Sequence, residues 1–172
     1  MTIDQLTLTE IEARRLGEIS FLAGDREWAT ACYTTAATIA PGQPATLRSL
    51  CRLARESGDD EKLRHYLEGL LEITPDEPTL LREHARLLTK SGDAGAEKNL
   101  RRLEALGVET AEDKSMMASL AARAGDTDVA LSSIEEALAS DPNHADWLRK
   151  AELHLARNEN CLLYTSPSPR DS

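Results

Sequence analysis

Two triplets of cations are the residues best placed to do recognition chemistry. Arg48, Arg52 and Arg55 recur at i, i+4 and i+7, and Arg82, Arg86 and Lys90 at i, i+4 and i+8. On a helix, those spacings gather each triplet on one face. The triplets are in register, because Arg82 follows Arg48, and Arg86 follows Arg52, by 34 residues. The apolar positions of the same segments (Leu47, Leu50 and Ala54, then Leu81, Ala85 and Leu88) fall elsewhere around the helix, so the cations point away from the core. Arg123 extends the row. Arg14 and Phe21 mark its other end, where the stripe changes to Ile11, Arg14, Glu18, Phe21 and Leu22. Guanidinium forks bind carboxylates in bidentate pairs. The row therefore reads as a basic groove with an apolar end, suited to an acidic peptide segment or a C-terminal carboxylate. It reads equally as a solvated face whose charges are neutralised by neighbours such as Glu56 and Glu83, since six cations on adjacent helices repel one another.

Other reactive residue types form no working arrangement. There is no glycine-rich phosphate loop ending in Lys-Ser/Thr, no His-Glu-x-x-His and no Gly-x-Ser-x-Gly. His65, His84, His144 and His154 lie in separate segments, away from metal-ligand spacing, and His84 reads as a packed core histidine. The acidic pairs Asp59-Asp60, Asp76-Glu77 and Glu135-Glu136 read as helix-end or solvated charges. Cys32, Cys51 and Cys161 make no CxxC pair, which argues against a disulfide framework and a zinc site. Cys32 and Cys51 sit in apolar contexts and read as inert core thiols in a reducing compartment. No catalytic residue, metal or cofactor is expected.

The elements that hold these residues are helices. Aromatic residues are only 3% and charged residues 29% of the 172, a composition rich in helix formers, and no stretch alternates for long enough to suggest a sheet. A net charge of -10 disfavours nucleic acid as a partner. The N-terminus has no basic and apolar leader, and no run approaches a membrane span, so the cytoplasm is the expected location.

A period runs through the chain. Gly24-Asp25, Gly58-Asp59 and Gly92-Asp93 are spaced by 34 residues, and Gly125-Asp126 follows after 33. Pro41 recurs as Pro75, and Pro44 as Pro78, again 34 residues on; Pro142 closes the fourth unit. Glycine tolerates the left-handed turn that ends one helix, and aspartate caps the next. Pro44 and Pro78 suit the first turn of a helix, where the missing N–H costs nothing. Thr9 with Glu12 predicts a capping box, and Thr110 with Asp113 predicts another. The units are residues 10–43, 44–77, 78–110 and 111–144, each a pair of helices. A partial fifth spans 145–157 after a lead-in of residues 1–9.

A 34-residue helix-turn-helix period resembles the tetratricopeptide repeat family. The first unit carries Leu16, Gly17, Gly24, Ala29, Tyr33, Ala36 and Pro41 at the matching spacing; the fourth carries Met117, Ala118, Gly125, Ala130, Ile134, Ala137 and Pro142. The second unit matches more weakly. The third departs most: it has His84 and Ala85, keeps Gly92 and lacks the closing proline. The resemblance implies an all-α, right-handed α-solenoid of antiparallel helix pairs, about four and a half repeats long, that binds other proteins. It also implies that the cations of the first helices line the concave groove. Some relatives clamp a C-terminal carboxylate there with Lys, Asn and Arg; here Arg52 and Arg86 stand where an Asn belongs. The expected function is a protein-interaction scaffold. The alternative is the N-terminal repeat region of a larger bacterial enzyme, such as a transferase.

The last segment, Cys161 to Asp171, breaks from this composition. It resembles one reading frame of a transposase adaptor used in preparing DNA libraries, so residues 158–172 are set aside as a non-native tail. On that reading the natural protein continues past Asn160, and the unpaired fifth helix offers an open edge for self-association.

Overall fold

The structure, a computed structural model, describes residues 8–141 and, beyond them, residues 146, 149, 150, 152–154 and 157. The expectations for Pro142, His144, Cys161 and the tail, including self-association through the C-terminal edge, lie outside the described residues.

Eight helices are described, in the order α1 (Glu10–Leu22), α2 (Arg26–Ile39), α3 (Pro44–Ser57), α4 (Asp60–Ile73), α5 (Pro78–Ser91), α6 (Ala96–Ala105), α7 (Ala111–Ala124) and α8 (Thr127–Ser140). The two expected capping boxes open α1 and α7. Asp25, Asp59 and Asp126 cap α2, α4 and α8 by accepting from the backbone N–H of Trp28, Lys62 and Val129. Each cap follows a glycine at positive φ: Gly24 at 85°, Gly58 at 68° and Gly125 at 83°. That turn reverses the chain within two residues and folds α1 on α2, α3 on α4 and α7 on α8.

The third pair deviates locally. Gly92 turns as the others do, with φ 77°. Asp93 does not cap a helix; its Oδ1 instead accepts from the Gly95 N–H at 2.8 Å. The helix then starts only at Ala96 and runs for 10 residues, against 14 in α2, α4 and α8. It closes on Gly107, at φ 67°, where the other units use proline.

The chain divides into two compact units, Met1–His84 and Ala85–Ser172. In the first, Phe21, Ala29, Tyr33, Leu50 and Leu53 form a core with Ala37 and Tyr66 at its margin. In the second, Ala118, Ala130, Leu131, Ile134 and Leu153 do the same. Both thiols of the first unit are buried, and burial pushes Cys51 up to about 11, so it is an inert packing group. His84 is buried, with its Nε2 3.6 Å from Glu68. Trp28 is only partly covered, at 36% exposure. Among the described residues, no helix is long and apolar enough to cross a membrane, and no cluster of His, Cys, Asp and Glu is placed to hold a metal ion.

Candidate functional site

The arginines of α3 arise from helical spacing, and their carboxylate partners come from neighbouring segments of the first unit. Arg48 donates through Nη1 and Nη2 to Glu77, at 3.2 and 2.7 Å. Arg55 donates through Nε and Nη2 to Glu83, at 2.8 and 3.0 Å. Both are two-point, fork-to-carboxylate pairs, the geometry that fixes a guanidinium in orientation as well as in charge. Arg48 and Arg55 nevertheless stay about half exposed, at 50% and 53%, while Glu77 and Glu83 are the more covered partners. Thr79 holds Glu77 from behind, its hydroxyl donating at 3.0 Å.

Arg52, between them, is tied into the core. Its Nη1 and Nη2 donate to Glu18 at 3.2 and 2.5 Å, and Nη2 lies 3.1 Å from the Tyr33 hydroxyl, which itself donates to Glu18 at 2.8 Å. Its guanidinium stacks over the Phe21 ring, 3.8 Å from the centroid, and the Arg26 guanidinium also lies over that ring, at 3.9 Å. Phe21 is thus a buried core residue under cationic cover, while Ile11 and Leu22 of the same stripe are exposed. Arg14 pairs with Glu10 at 3.3 Å, one turn away.

In the second unit, Arg86 donates through Nε and Nη2 to Glu112, at 2.7 Å each. Arg123 donates to the Thr89 carbonyl at 2.7 Å. Arg82 and Lys90 are also engaged in polar interactions. The compensation that closely spaced cations require is therefore present. Of the two neutralising neighbours named from sequence, Glu83 does face the row, whereas Glu56 pairs with Arg26 at 2.7 Å. Glu18, Glu77 and Glu112 were not singled out as partners. Glu18 lies 34 residues before Arg52, one full period, and that spacing was the available signal.

A cleft of about 380 Å³ opens between α2, α3 and α4, lined by Leu50, Leu53 and Tyr66 together with Arg26, Glu56 and Lys62.

The ion pairs set a pH dependence. Hydrogen bonds from Arg52, then from Tyr33, hold the Glu18 carboxyl below its ordinary value of 4.5; Arg48 does the same to Glu77. A depressed carboxylate contributes stability that is complete above its unfolded value and is lost as pH falls through its folded value. The urea midpoint is expected to hold steady from pH 7 to about pH 5 and to fall below about pH 4.5. Glu18→Gln with Glu77→Gln should make that fall shallower. An acid limb of unchanged steepness in the double variant contradicts the assignment.

No family model and no curated protein matches the sequence. Among solved structures, MamA from Desulfovibrio magneticus RS-1 aligns over 87% of this chain and 85% of its own, with a TM-score of 0.70 at 13% identity. A tetratricopeptide repeat protein from Parabacteroides merdae aligns over 93% and 66%, with a TM-score of 0.63 at 18% identity. PilF of Pseudomonas aeruginosa aligns over 84% and 67%, with a TM-score of 0.59 at 19% identity. At these identities the likeness is one of fold: this chain is an all-α solenoid of the tetratricopeptide type.

Proposed function

We propose that this chain is a protein-interaction scaffold whose first-helix face takes an extended, acidic peptide. One observation carries the reading: Arg48 and Arg55 are half exposed, fixed in direction by two-point pairs, and set on the same face of one rigid helix. A guanidinium carries five N–H donors and each pair uses two of them, so further donors are already aimed when a partner arrives. The partner's carboxylates add a second acceptor to each fork or replace the internal one. The resemblance in fold supports a role in protein interaction, since helix-pair repeats present extended surfaces of this kind. The buried, unreactive Cys32 and Cys51 suit a reducing, cytoplasmic setting.

The test starts from peptides selected on the wild-type protein from a random library, with affinities read by fluorescence polarisation. Arg48→Glu with Arg55→Glu is expected to weaken the selected peptides at least about tenfold, with helicity unchanged, and wild-type affinity should fall as salt rises. Arg52 is a poor choice for this test because it also covers Phe21 and bonds Tyr33. Equal affinity in the charge-reversed protein, or affinity indifferent to salt, overturns the reading.

A further inference from the structure

The pairs on α3 carry information about what the face selects. Arg48 and Arg55 are seven residues apart, which places their Cα atoms about 10 Å apart along the helix axis. Arg52 between them is held by Glu18 and Tyr33. The two outer forks are the ones whose carboxylates come from beyond α4: Glu77 just before α5, and Glu83 one and a half turns into it. Both acids sit in the position a ligand carboxylate takes on an arginine, with two oxygens on two N–H groups. Both are also less exposed than the arginines they hold.

We propose that Glu77 and Glu83 are internal stand-ins for a partner's carboxylates, and that they restrict the face to peptides carrying two acidic residues three positions apart. This rests on the peptide-binding reading of the same face. In a polyproline-type extended chain, residues n and n+3 lie on one edge about 9 Å apart, close to the rise that separates the two arginines along α3. A β-extended chain puts n and n+3 on opposite edges and does not match. A single carboxylate gains little, because it exchanges one exposed ion pair for another of similar worth. Two carboxylates on one preordered chain displace both internal acids in a single binding event, and the second exchange is intramolecular. Glu77 and Glu83 thus set a threshold that weakly acidic segments do not cross.

The experiment uses the full chain and two fluorescein-labelled, proline-rich peptides of equal composition, one with aspartates at n and n+3 and one with them adjacent. The proteins are wild type, Glu77→Gln with Glu83→Gln, and a control that removes two acids from the exposed side of α4, Glu61→Gln with Glu72→Gln. Glutamine keeps the shape and the hydrogen-bonding carbonyl, and unchanged helicity certifies each fold. The spaced peptide is expected to bind wild type more tightly than the adjacent one. It should bind the Glu77/Glu83 variant about tenfold more tightly than wild type, a gain of the size of two exposed pairs. The control should gain much less, because its charges are screened from the face. A Glu77/Glu83 variant that binds no better than the control overturns the stand-in role. Equal affinity for the two peptides overturns the spacing. If library-selected peptides bind and depend on Arg48 and Arg55 while either of those results is found, the inference fails alone. If no peptide binds any of the proteins, the binding reading fails with it.

Discussion

Tyr33→Ala is expected to destabilise the first unit by about 3–5 kcal/mol, the largest loss from any single change considered. The ring is wholly buried at the centre of the first core, against Phe21, Ala29, Leu50 and Leu53. Its removal leaves a cavity between helices that cannot close, because α1 and α2 are tethered by the tight turn at Gly24 and Asp25. The hydroxyl adds a second effect. It donates to Glu18 and lies within hydrogen-bonding distance of Arg52, so truncation strips both of a partner on a partly buried face. Tyr33→Phe separates the two contributions: the ring stays, and about 1 kcal/mol should be lost with the hydroxyl. Urea denaturation followed by circular dichroism reads both. A Tyr33→Ala protein within about 1 kcal/mol of wild type would show that the first core does not depend on this residue.

Gly17→Ala carries the second effect, and here two terms oppose each other. Alanine inside a helix is favoured over glycine by about 1 kcal/mol. A Cβ at this position, however, meets the Tyr33 ring, with ring carbons at 2.7, 2.7 and 3.1 Å. The neighbour is a fully buried ring whose hydroxyl is bonded to Glu18, so it has no empty space to swing into. Overpacking of that kind costs about 1–3 kcal/mol. The clash at the buried ring outweighs the propensity, and a net loss of up to about 2 kcal/mol is expected, with α1 and α2 the first helices to melt. A Gly17→Ala protein more stable than wild type would show that the helices can separate at this point without penalty.

The helices were legible because their punctuation is local. A glycine at positive φ followed by a capping aspartate is a two-residue signal, and it ends one helix and starts the next at Gly24, Gly58 and Gly125. At Gly92-Asp93 the same two residues stand, but Asp93 accepts from the Gly95 N–H and the helix opens only at Ala96, a late start that the dipeptide does not announce. The cation row was legible for the same reason, since helical spacing alone gathers Arg48, Arg52 and Arg55. What the row meets was not. The partners of Arg48 and Arg55 lie 29 and 28 residues away, separations that no helical period predicts and that depend on how α3 lies against the segment opening α5 within the first unit. Phe21 shows a different difficulty. Its place on a mixed stripe made it look like an open apolar end. Two guanidiniums roof the ring, and neither stacking contact is visible as a spacing along the chain.

The most direct test of the central claim asks where a bound peptide lies. A photo-crosslinking amino acid at Ala45, exposed and on the same face of α3 as Arg48 and Arg55, is compared with one at Glu61, exposed on α4. Each protein is irradiated with a library-selected peptide and the covalent adduct is measured by mass spectrometry. The account predicts an adduct at position 45 that is lost when Arg48 and Arg55 are reversed in charge, and little or none at position 61. Crosslinking at 61 and not at 45 would place the peptide on the second helices and contradict a binding face built on α3.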